Sequence, residues 1–395
     1  MLVSTALVLL MTPALGFFYA GMVRSKNVLN TLMMSFVPLG FVGIAWALAG
    51  YAIAFGSGFF LQGVGLEAKG SIPHVLFMAY QGTFAIITAA LISGAIVERM
   101  RFVPYLAFVT AWSLAVYAPV AQWVWGGGWL ARLGALDFAG GTVVHVNAAV
   151  AALVVAVVVG ARRDYGRQAI VPQNVPHTLL GAGLLWLGWF GFNGGSALAS
   201  NASAALAFTN TMFAPIATLC VWTLVDLVRT GKATAIGAAT AIVVGLVAIT
   251  PAAGFVSPLS AIALGAIAAF PSYFALLWRT RTRLDDSLDV LAAHGCGGIV
   301  GALLTGVFAQ KEWSGGASGL LFGNPKQLGI QAAAVGATIV YSGAITFVLL
   351  KAIGLVTSLR ARAEEEGIGL DVTQHGEEAY SRGEGAILIL PEGGR

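Results

Sequence analysis

Two histidines, His145 and His294, each sit in the middle of a long and otherwise uncharged apolar stretch. A charged side chain at the centre of a bilayer costs roughly 2.5–3.5 kcal/mol on insertion scales. A chain that keeps two titratable imidazoles at that depth is therefore expected to use them on whatever passes through it. The plainer reading is that each ring only hydrogen-bonds a neighbouring helix. Other chemistry is poorly supplied. The two cysteines, Cys220 and Cys296, lie in apolar segments and offer neither a disulfide framework nor a metal-ligand cluster. No nucleophile elbow or phosphate loop occurs, and the acidic residues fall mostly in connections, so neither an enzyme nor a bound cofactor is expected.

The elements that must position the histidines are membrane spans. Of the 395 residues 58% are hydrophobic and 10% charged, against about 25% charged in a soluble domain. The net charge of +4 is carried by short basic clusters between apolar runs, which is not a nucleic-acid signature. A span needs about 20 mostly apolar residues. Candidates fall at 2–23, 29–55, 73–97, 103–123, 138–160, 177–194, 202–228, 234–254, 257–278, 288–308 and 329–357. The result is an all-α integral membrane protein with eleven transmembrane helices, residues 1–357, followed by a polar tail over 358–395. The first span has no basic region before it and reads as a helix, not a cleaved signal.

Basic residues divide unevenly between the two sets of connections. Arg24, Lys26, Arg99, Arg101, Arg162, Arg163, Arg167, Arg229, Lys232, Arg279, Arg281 and Arg283 share one side with Lys351 and the tail arginines. Only Lys69, Arg132, Lys311 and Lys326 lie on the other. The positive-inside rule makes the rich side cytoplasmic. The N-terminus is then outside, the C-terminus inside, and the protein multi-pass in the plasma membrane.

The chain also repeats itself. Asp137 precedes His145 by eight residues and Asp289 precedes His294 by five, and small residues follow each histidine. Phe17–Gly21 in the first span is echoed by Trp189–Asn193 in the sixth. Five helices per half mean that the second copy enters the membrane upside down, so the expected architecture is two inverted five-helix repeats plus a final helix. Inverted repeats place a substrate path at their interface near the midplane, where His145 and His294 would face each other. Asp137, at the start of the fifth span, suits a helix-capping carboxylate that also lends negative charge to a nearby cation. Asp289 is expected to play a comparable architectural part.

The stretch from Trp125 through Asp137, Gly140, Gly141, His145 and Asn147 to Ala149 resembles the signature of the ammonium transporter (Amt/Mep/Rh) family. So do FFYAGMVRSKN at 17–27, YQGTFAIITAALISGAIVER at 80–99, WFGFNGGS at 189–196, LAAHGCGGIVGALLTG at 291–306 and GLDVTQHGEEAY at 369–380. The resemblance covers nearly the whole chain, with a very short N-terminus as one departure. It implies a pore through each subunit of a homotrimer.

The resemblance also assigns roles. Trp125 and Phe84, with Tyr80 and Ser196, correspond to an external site that recruits ammonium through cation–π contacts and a hydroxyl. Without it, Trp125 and Trp129 would read as members of an aromatic belt. Phe84 and Phe192 correspond to a phenylalanine gate, Trp189 lines the pore below it, and His145 and His294 form a twin-histidine pair. A neutral imidazole offers one donor and one acceptor, so two in contact can share a proton and present complementary faces to ammonia. Ammonium matches potassium in size and charge but donates four hydrogen bonds and can lose a proton. A site that separates the two is expected to use aromatic faces, a hydroxyl acceptor and then an apolar passage. The reading is a transporter that binds ammonium outside, deprotonates it and conducts ammonia, with net charge movement. The alternatives are an ammonium sensor, for which residues 358–395 are too few to fold an output domain, and a passive Rh-like gas channel, against which Trp125 and Ser196 argue. The family's tail couples subunits and often meets a PII-type signalling protein, and the apolar run Ala386–Leu390 is a candidate docking segment.

Overall fold

The computed structural model describes residues 1–380, so the run Ala386–Leu390 lies outside the described residues. Eleven apolar helices follow one another: α1 Leu2–Met22, α2 Ser25–Phe55, α3 His74–Ala95, α4 Phe102–Leu133, α5 Gly141–Val159, α6 Val175–Gly195, α7 Ala202–Thr230, α8 Ala235–Ile249, α9 Pro258–Arg279, α10 Leu291–Phe308 and α11 Lys326–Val356. Ten are long and apolar enough to cross a membrane. The exception is α8, a helix of 15 residues, which continues into turns over 250–255 where a helix to 254 was expected. Pro251 and Pro258 account for this difference, since a proline removes an N–H and disfavours helix in the residue before it. A two-strand hairpin, Ala68–Lys69 with Ile72–Pro73, joins α2 to α3.

Several helix starts are set by side-chain caps. Asn174, Asn201, Thr234 and Ser257 accept from the backbone N–H groups of His177, Ala204, Gly237 and Ser260. Each satisfies one of the free donors that a helix start leaves. Small residues then let the helices meet closely, the usual means of packing in lipid. A Cβ on Gly181 of α6 would run into the backbone nitrogen of Phe18 on α1, so these two helices touch backbone to backbone. The last span, α11, ties the halves together. Gln331 donates to the carbonyls of Leu136 and Ala302, and Ser342 to that of Asn147.

Both α5 and α10 open with a π-helical turn, Gly141–Val146 and Leu291–Cys296, and each turn carries a histidine. Such wide turns re-aim side chains and recur at functional sites. The same irregularity at matching places in the two halves is the structural counterpart of the internal repeat.

One end of the molecule is bound by buried ions. Arg162 reaches Asp285 at 2.7 Å and Glu98 at 2.9 Å, and Arg24 joins Glu98 to Asp164. Burial pushes the Glu98 carboxyl up, but Arg162 and Arg24 more than offset this and hold it below its ordinary value. Asp285 is held low against burial chiefly by Arg162. The chain beyond α11 folds onto this same end. Lys26 donates to the carbonyl of Glu366, Leu370 N–H donates to Asn27 Oδ1, and Asn30 N–H donates to Asp371.

Candidate functional site

The aromatic residues singled out from the sequence converge on one axis. Phe84 on α3 and Phe192 on α6 stack with centroids 4.2 Å apart and planes 30° from parallel. Trp125, in the turn that breaks α4, stands edge-on to Phe84 at 5.9 Å. Its indole donates to the carbonyl of Asp137 at 2.8 Å, so ring position is tied to the start of α5. Tyr80 lies 5.0 Å from Phe84 and is fully buried. Its hydroxyl donates toward the carbonyls of Phe192 and Gly191, at 2.8 and 3.1 Å. Tyr80 thus braces the turn of α6 that presents Phe192, and its oxygen lies 3.3 Å from Ser196 Oγ. Ser196 itself donates back to the Phe192 carbonyl at 2.9 Å.

Directly below the phenylalanine pair lie the histidines. His145 stacks under Phe192 at 6.2 Å, beside Trp189 at 5.4 Å and against His294 at 5.2 Å. The two Nδ1 atoms are 3.2 Å apart. One nitrogen must donate and the other accept, so a single proton lies between the two rings. His145 Nε2 is buried without a partner, which leaves it directed at whatever occupies the axis. The close approach depends on Gly298, where a Cβ would sit 3.1 Å from His145 Cβ. Trp189 is locked by its indole N–H to Thr250 at 2.8 Å. Leu15, Phe18, Leu91, Leu185 and Val243 complete the wall of a cavity of about 10 Å³, room for about one water molecule. A hydrated cation does not fit a passage this narrow and apolar. A small neutral molecule that hydrogen-bonds an imidazole does.

Asp137 is a complete cap. Its two oxygens accept from the backbone N–H groups of Gly140, Gly141, Thr142 and Val143 at 2.6–3.0 Å. Gly140 makes this possible with φ +117, a conformation open to glycine. At the corresponding start of α10 the acceptor is Asp286, which takes the Leu291 N–H at 2.7 Å. Asp289 instead pairs with Arg279. Asp286 stands eight residues before His294, the spacing of Asp137 to His145, and that equality was the available signal for it. Thr250 and the aliphatic pore wall had no comparable mark in the sequence. Among the described residues no group of three or more His, Cys, Asp or Glu side chains is placed to hold a metal ion.

Inverted apolar helices around a narrow histidine-lined passage define a multi-pass membrane protein with a pore inside the subunit. The chain belongs to the ammonium transporter family, whose family model matches residues 1–380. It is similar to the ammonium transporter of Aquifex aeolicus, at 49% identity over 96% of this chain and 92% of the relative. The ammonium transporter of Bacillus subtilis is 47% identical over 95% and 96%. Among solved structures, Mep2 of Candida albicans superimposes with a TM-score of 0.86 at 35% identity, over 92% of this chain and 85% of that one. A sensor Amt protein superimposes with a TM-score of 0.88 at 30% identity, over 94% and 96%. The family is one of transporters, not enzymes.

Proposed function

We propose that this protein carries ammonium into the cell as ammonia and a proton that move separately. The end bearing Trp125 faces outward and the arginine-rich end, with the tail, faces the cytoplasm of a plasma-membrane homotrimer. Ammonium is recruited beside Trp125, Phe84 and Ser196, where each cation–π contact contributes about 0.5–2 kcal/mol. It loses a proton at the Phe84–Phe192 gate, and ammonia passes Trp189, His145 and His294.

The observation that carries this reading is the direct stacking of the closed phenylalanine pair over the hydrogen-bonded histidines. Such an arrangement excludes a hydrated ion while offering hydrogen bonds to a neutral amine. Potassium, which cannot shed its charge, has no way through. Net charge movement follows if the proton crosses as well.

The test is current from the purified chain in liposomes after an ammonium jump, compared with a potassium jump. Current for ammonium alone supports the reading, and equal currents for both ions contradict it. Likeness to the sensor Amt protein favours a second reading, in which ammonium binding is reported to a partner. Binding without any transport would favour that one. A PII-type protein docking on the tail side is a further part of the proposal, tested by co-purification in each nucleotide state.

A further inference from the structure

The hairpin between α2 and α3 is clasped to the bundle by a caged lysine. Lys69 Nζ lies 5.2, 5.4 and 5.1 Å from the ring centres of Tyr51, Phe55 and Phe77. Tyr51 and Phe55 close the end of α2, and Phe77 stands in the first turn of α3. Phe55 and Phe77 meet edge to face at 5.0 Å, so the three rings form a cage. An ammonium within about 6 Å of a ring centroid is attracted to the ring face. The Lys69 amine also donates to the Tyr51 oxygen at 3.1 Å. Tyr51 passes its own proton on to His74 Nε2 at 2.6 Å, and His74 Nδ1 faces Glu67 at 3.5 Å. The clasp is thus a primary ammonium held by three aromatic faces and one hydroxyl oxygen.

The other side of the hairpin reaches the segment that carries Ser196. Lys69 pairs with Ile72 across the turn, and Ile72 is buried. Ser71, in the turn itself, donates to the Leu198 carbonyl at 2.6 Å. Leu198 stands two residues after Ser196, with φ +55. A leucine takes this left-handed conformation only where its surroundings hold it there. Here α6 is unwinding: the N–H groups of Ser196, Ala197 and Leu198 donate to carbonyls three residues back, at 3.1, 3.4 and 2.8 Å. Ser71 supplies a side-chain bond where the chain leaves the helix. The clasp stands apart from the passage below the gate, whose wall contains none of Tyr51, Phe55, Lys69 or Phe77.

We infer that Lys69 is a positioning residue for ammonium recruitment: caged by Tyr51, Phe55 and Phe77, it holds the hairpin so that Ser71 fixes the turn carrying Ser196. The inference rests on the proposed recruitment of ammonium beside Ser196. A hydroxyl on the last turn of an unwinding helix is placed no better than the backbone beneath it, and supporting contacts decide whether it meets its ligand. The hairpin ties that turn to the start of α3, the helix that also presents Tyr80 and Phe84. The hydroxyl and the aromatic faces of the site are thereby set from one frame. A cation suits the clasp because it engages three rings and the phenol oxygen at once, which fixes the hairpin in direction as well as in place.

The experiment measures half-saturating ammonium concentration and maximal current for the full chain in liposomes. The variants are Lys69→Met, Lys69→Arg, Ser71→Ala, Ser196→Ala, and Lys69→Met combined with Ser196→Ala. Methionine keeps an unbranched apolar stem and loses the charge, so a packing role predicts wild-type values. The inference predicts a half-saturating concentration raised about two- to tenfold, the range for losing the Ser196 hydroxyl itself, with maximal current unchanged. Removing a positive charge from that end would by itself favour a cation, so a rise does not come from the general field. Arginine, which also stacks on aromatic faces, should recover most of the loss. Adding Lys69→Met to Ser196→Ala should raise the value no further, because the two act through one group. Wild-type half-saturation in Lys69→Met overturns the inference, as does a full further rise in the double variant. Should Lys69→Met not fold, Ser71→Ala decides: the same rise supports the inference and a wild-type value overturns it. An unchanged value in Ser196→Ala, or no ammonium current from the wild type, removes the recruitment reading and this inference with it.

Discussion

The starts of α5 and α10 were built on one plan and finished differently. Each has a π-helical turn, a histidine and a carboxylate eight residues ahead of it. At the Trp125 end the carboxylate is saturated by four N–H groups and the Trp125 indole is tied to its carbonyl. At the other end the carboxylate is half-bonded, and cohesion comes from the neighbouring Arg162–Asp285–Glu98 pairs. The difference teaches that an inverted repeat preserves backbone geometry while each mouth is free to change its polar chemistry.

Removing Arg162 should have the largest effect, since two fully buried carboxylates lose a shared partner, leaving Glu98 to Arg24 and Asp285 to the more distant Arg99. Arg162→Ala is expected to cost about 3–5 kcal/mol, read as a lower unfolding temperature in detergent. Intact stability would show that the arginine-rich end is not held by these pairs. The same pairs set a pH limit. Glu98 and Asp285 have folded values below their unfolded ones of about 4. Their contribution is therefore full above that value and lost as pH falls through the lowered folded values. Thermal scans from pH 7 to pH 3 should show a flat region and then an acid-side fall, and a fall already complete by pH 6 would contradict the assignment.

Asp137→Ala comes next, at about 2–4 kcal/mol, because four donors lose one charged acceptor. Asp286→Ala should cost less, about 1–2 kcal/mol, because one main bond is lost and an unsatisfied oxygen goes with it. Equal losses at the two positions would break the contrast drawn between them. Ser196→Ala is expected to be the mildest. Loss of one hydroxyl acceptor for the cation, which water partly replaces at this half-buried position, costs about 0.5–1.5 kcal/mol and raises the half-saturating ammonium concentration about two- to tenfold. An unchanged value would remove Ser196 from the recruitment site.

Much of this arrangement was legible before any coordinates. The spans could be read because lipid demands long apolar runs, and their limits agree with the helices within a few residues except at α8 and at α4, which resumes after the turn at Trp125 and runs to Leu133. His145 and His294 stood out because charge at membrane depth is costly, and they do meet. The repeat led to Asp289 by proximity to His294, whereas equal spacing leads to Asp286. That miss arose because Asp285, Asp286 and Asp289 are crowded into five positions, and sequence alone does not say which one turns back to cap the helix. The Arg162 pairs were also hidden. The arginines were read as a topology signal, and nothing local announces that Glu98 and Asp285, 187 positions apart, share one partner. Tyr80 was placed with the recruitment site, where its ring does lie against Phe84. Only the coordinates reveal that its hydroxyl is committed to the α6 carbonyls.

The most direct test of the central claim is to remove one histidine and ask whether the pore still tells ammonium from potassium. The measurement is liposome current for each cation with the wild type and His145→Ala. The account predicts ammonium current without potassium current in the wild type. In the variant it predicts either no current or current carried by both ions. Unchanged ammonium current with potassium still excluded would contradict it.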